Sequence, residues 1–74
     1  MHIHIGKHIE LVLRQQGRSI SWFAGQICCE RTNVYSIFRR ESIDTDLLLR
    51  ISKCLDYNFF KFYDSALNMD DRPS

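Results

Sequence analysis

Apolar residues recur along this chain at the spacing of an α-helix face, and turn residues interrupt them at short intervals. Ile5, Ile9, Val12 and Leu13 follow the i, i+4, i+7, i+8 pattern, which predicts a first helix over His4–Gln16. Gly17 ends it, because the residue after a helix commonly adopts positive φ. A second, short helix starts after Ser19, whose hydroxyl suits an N-cap. It carries Phe23, Ala24 and Ile27, and Cys28-Cys29 breaks it. A third runs over Arg31–Arg39, with Glu30 at its positive end and Val34, Ile37 and Phe38 sharing one face. The fourth begins at Asp44 as N-cap. Ile43 before it and Leu48 within it are spaced as a hydrophobic staple, and Leu48, Ile51 and Leu55 form its inner face. A fifth helix is expected over Asn58–Ser65, rich in Phe59, Phe60, Phe62 and Tyr63. Residues 67–74 are expected to form a polar, frayed tail after a single domain over residues 1–66. Alternation typical of strands lasts only from His2 to Ile5. The expected fold class is therefore all-α, a compact five-helix bundle.

Length sharpens that expectation. A chain of 74 residues allows one small domain. Apolar runs such as Leu47–Leu49 do not exceed three residues, far too short for a membrane span, and no secretory signal is visible. The cytoplasm is the expected compartment. Three cysteines, two of them adjacent, fit reduced thiols better than a disulfide framework.

The charge is unevenly placed. Residues 1–40 carry six Lys or Arg against two acids, a net +4, whereas residues 41–74 carry a net −3. An anionic partner would therefore meet the first half.

The spacing within residues 20–39 is the most informative. A short helix with the small Ala24 precedes a brief turn and a second amphipathic helix, as in a helix-turn-helix pair. Ser19-Ile20-Ser21-Trp22-Phe23-Ala24, with Ile27, Val34 and Ile37, resembles the helix-turn-helix of the phage-repressor and Cro type, the xenobiotic-response-element (XRE) family. The run Leu48–Leu55 resembles that family's fourth helix, and the likeness covers about residues 5 to 63. Arg31–Tyr35 and Ser42–Thr45 resemble a subgroup of small bacterial regulators. The sequence departs from the family pattern at Ile20, where Gln often contacts a phosphate, and at Cys28, where the turn often has Gly. The resemblance implies a lambda-repressor-like domain in a bacterial or phage setting, acting at the nucleoid as a transcriptional regulator. It also implies double-stranded DNA as partner and a weak homodimer through the C-terminal helix, involving Phe59, Phe60 and Tyr63.

The outward face of the third helix carries the candidate chemistry. Arg31, Thr32, Asn33, Tyr35, Ser36 and Arg39 are the expected base contacts. Asn pairs with adenine, Arg with guanine, and a Thr methyl or Tyr ring meets a thymine methyl. Arg18, Ser21 and Arg40 are the expected phosphate contacts. Trp22 is expected to pack on a neighbouring helix. His4 and His8, four residues apart, invite a metal reading with Cys28 and Cys29, but adjacent cysteines lack zinc-motif spacing, so no metal or other cofactor is expected. A redox role for Cys28 or Cys29 would need an exposed, acidified thiol. No phosphate loop, nucleophile elbow or carboxylate pair is present, so an enzyme is not expected, nor a small-molecule ligand. The competing class is a protein-interaction module, an antitoxin-like or adaptor subunit on the same fold.

Overall fold

The computed structural model describes residues 3–27 and 29–69. Among them the chain forms five helices and no strand: α1 (Ile5–Gln15), α2 (Ile20–Gln26), α3 (Arg31–Arg39), α4 (Thr45–Leu55) and α5 (Phe60–Met69). No helix among the described residues is long and apolar enough to cross a membrane.

The helix ends follow from local chemistry. Ser19 Oγ accepts the Trp22 N–H at 3.0 Å, and Asp44 Oδ1 accepts that of Leu47 at 2.7 Å. Each satisfies a donor that has no partner within its own helix. Gly17, at φ 70°, closes α1 with paired backbone bonds: its N–H reaches the Arg14 carbonyl, and that of Arg18 reaches Leu13. Asp56, at φ 50°, closes α4 in the same way, through Asp56 N–H to Lys53 and Tyr57 N–H to Ser52. Both ends are Schellman motifs, and the second places an aspartate where the sequence offers no glycine.

The core is one cluster. Ile5, Ile9, Val12 and Leu13 of α1 meet Phe23 and Ala24 of α2, Val34, Ile37 and Phe38 of α3, and Leu48, Ile51 and Leu55 of α4. Phe59, in the turn before α5, is fully buried among them. Ile43, Trp22, Phe60 and Phe62 lie half-buried against the cluster. No charged or polar side chain is buried among the described residues.

α1 and α3 meet through their main chains. The N–H groups of Ile5 and Gly6 donate to the carbonyls of Glu41 and Arg40, each at 3.0 Å, so the open start of α1 is capped by the chain leaving α3. Gly6 makes this approach possible. A Cβ there would strike the carbonyl oxygens of Ile37, Phe38 and Arg40, the last at 2.7 Å.

Three expectations change. α5 begins at Phe60 rather than Asn58, because Asn58 Oδ1 accepts the Phe60 N–H and acts as a cap. It then runs on to Met69, through Ala66 and Leu67, so residues 67–69 belong to the helix and not to a tail. α2 stops at Gln26, with Ile27 as its C-cap. Cys28 and residues 70–74 lie outside the described residues.

Candidate nucleic-acid interface

α3 is anchored from within by Val34, Ile37 and Phe38, which fixes the direction of its opposite face. Thr32, Asn33, Tyr35 and Arg39 are exposed there, and Ser36 is half-buried. Tyr35 is 49% exposed, although its ring meets that of Phe38 edge-on at 6.3 Å. The ring therefore has one aromatic neighbour and remains open to solvent.

Two open grooves flank this ridge. On one side, Asn33, Ser36 and Arg40 line a groove with Leu47 and Arg50 of α4. On the other, Tyr35 and Arg39 share a groove with His4, Lys7 and Glu10. The division follows from the helical repeat, since residues 33, 36 and 40 fall to one side of the ridge and 35 and 39 to the other.

Arg31 and Ser21 come together. The Nε–H and Nη2–H groups of Arg31 donate to Ser21 Oγ at 2.9 and 2.6 Å, which clasps the start of α3 to α2. The sequence pointed each of them at DNA separately, but the folded chain pairs them in a contact that holds the guanidinium at the edge of the ridge. Both remain exposed.

Arg18 lies elsewhere. Its guanidinium sits over the Trp22 ring at 4.3 Å, and it lines a groove with Gln16, Cys54, Leu55 and Asp56 at the far end of α4. Trp22 itself packs against the core. Burial pushes the Cys54 thiol upward, and the positive charge of Arg18 partly offsets this.

The N-terminal histidines have separate roles. His4 caps α1, its Nδ1 accepting the Lys7 N–H at 3.3 Å. The His8 ring stacks on Phe62 at 3.9 Å between centroids and joins α1 to α5. The two side chains thus meet different neighbours, and Cys28 lies outside the described residues.

The expected pairing surface on α5 changes in one respect. Phe59 is 0% exposed and belongs to the core, so it offers no surface to a second copy. Its ring joins the core cluster and meets those of Tyr57 and Phe62, with centroids at 4.8 and 6.4 Å. Phe60 is half-buried. Tyr63 and Leu67 are 37% and 73% exposed.

Arg50 was not assigned a role from sequence. Its Nη2–H donates to the Ile27 carbonyl at 3.2 Å and ties α4 to the C-cap of α2 beside the α3 face. A surface arginine in an amphipathic helix carries no sequence signal for such a contact, 23 residues away. No protein-family model, curated protein or solved structure matches the chain.

Proposed function

We propose that this chain binds duplex DNA sequence-specifically, with α2 and α3 acting as a helix-turn-helix and α3 entering the major groove, as a small transcriptional regulator of the XRE type would. The observation that carries this reading is the outward ridge of α3. Thr32, Asn33, Ser36 and Arg39 are displayed on a helix whose other side is locked into the core. A helix is about 10–12 Å across with its side chains and fits a major groove about 12 Å wide. Asn33 and Arg39 carry the groups that pair two-fold with adenine and guanine edges, and Arg31, clasped by Ser21, stands at the helix start. Arg40 serves a phosphate beside them.

One such helix reads a few base pairs, so a second copy is part of the proposal, with half-sites about 34 Å apart. Tyr63, Phe60 and Leu67 on α5 supply apolar surface for it.

The test is selection of the purified protein on random duplexes at moderate salt, beside an Asn33→Ala/Arg39→Ala double variant. Enrichment of a palindromic site by the wild type and not by the variant supports the reading. Equal results for both, with no enriched site, reject it. A second reading, a protein-interaction module, is favoured by the exposed Leu11, Leu49 and Leu67. Such an apolar contact would hold as salt rises, whereas DNA affinity falls steeply.

A further inference from the structure

A helix lying in a major groove has a phosphate strand on each side. On this protein the two sides of the α3 ridge are built alike from different helices. Arg40 of the chain leaving α3 shares one groove with Arg50 of α4. Arg39 shares the other with Lys7 of α1. Each side thus carries two cations, one on or beside α3 and one from a flanking helix. The acid in the second groove, Glu10, is engaged by Arg14 at 2.9 Å, which leaves Lys7 and Arg39 to set its charge. His4 there turns back to cap α1. Arg50 is held in place by its bond to the Ile27 carbonyl.

From this two-sided arrangement we infer that Lys7 and Arg50 are phosphate-binding residues that grip opposite strands of the duplex, one on each side of α3. The inference rests on the DNA-binding reading above and adds two helices, α1 and α4, to the binding surface. As phosphate contacts, neither carries sequence preference. Each neutralised phosphate contributes about 0.9 to the slope of log affinity against log salt.

The experiment uses a duplex enriched by the wild-type chain. Salt titrations of wild type, Lys7→Gln and Arg50→Gln are compared on it. For each bound copy, a variant is expected to lose about 0.9 from the slope, so a fourfold rise in salt weakens it about 3.5-fold less per copy than the wild type. Each should still enrich the same site. Methylphosphonate replacement within a single half-site, one strand at a time, then assigns the sides. Lys7→Gln should be insensitive to neutral phosphates on one strand, and Arg50→Gln to those on the other. Should loss of the Ile27 bond unfold Arg50→Gln, Arg40→Gln reports on the same groove. Unchanged slopes, or both variants responding to the same strand, overturn the inference while DNA binding stands. A wild type that enriches no duplex overturns both.

Discussion

The two ends of this chain are attached to the core by different means. α1 meets α3 through backbone, with Gly6 giving room and the carbonyls of Arg40 and Glu41 receiving its first N–H groups. α5 is attached through side chains: Phe59 buried before it, and Phe62 stacked on His8. Main-chain contact at van der Waals distance leaves no freedom to readjust, whereas side chains can change rotamer. The α1–α3 seam therefore sets the direction of the α3 ridge rigidly. α5 closes the core at its root and leaves Leu67 in solvent near its end.

The largest effect is expected at the root of α5. Phe59→Ala removes a fully buried ring and should cost about 3–5 kcal/mol, enough to unfold much of so small a domain. Urea denaturation followed by circular dichroism checks it. Gly6→Ala comes next. Adding one methyl against three carbonyl oxygens should cost about 1–3 kcal/mol or more, because backbone must move. The same substitution at Gly17, where open space surrounds the new methyl, meets only the positive-φ penalty, of about 1–2 kcal/mol. Thermal melts of the two alanine variants distinguish a packing cost from a conformational one. The signature of the first is an altered amide spectrum around Arg40 and Glu41 in Gly6→Ala alone.

A double-mutant cycle on His8 and Phe62 sharpens the side-chain half of the comparison. Their stacking should give a coupling of about 0.5–1.5 kcal/mol. No coupling would mean that this stack adds nothing to the attachment of α5, which then rests on Phe59 and the packing of Phe60 and Phe62 on the core. The smallest effect concerns Cys54. Burial raises its thiol above the usual range, so the unfolded chain loses that proton first as pH rises. Its contribution is present below the ordinary thiol range and is lost as pH rises through the folded value. Stability should decline there more in the wild type than in Cys54→Ser, as denaturation at neutral and alkaline pH would show.

These contrasts also explain which features were legible in the sequence. Gly17, Ser19 and Asp44 act on neighbours three to five residues away, so their signals are local, and α1, α3 and α4 follow the expected bounds within one residue or so. The α3 ridge was legible because Val34, Ile37 and Phe38 orient it through the helical repeat. α5 was not, since Asn58 reads equally well as a helix residue or as its cap, and the mostly polar stretch that follows Leu67 hides the continuation of the helix to Met69. Phe59 looked available beside Phe60 because four aromatics in five residues do not reveal which one faces inward. Gly6 and Arg50 act on carbonyls more than 20 residues distant, and only the fold brings these together.

The central claim is that the outward ridge of α3 is a DNA-reading surface, held in direction by the α1–α3 seam. The most direct measurement is amide chemical-shift mapping during titration with a selected duplex. The account predicts saturable shifts at residues 31–40 together with Lys7, Ser21 and Arg50, weakening as salt is raised. Shifts confined to Tyr63 and Leu67 on α5, or no saturable shift with any duplex, would contradict it.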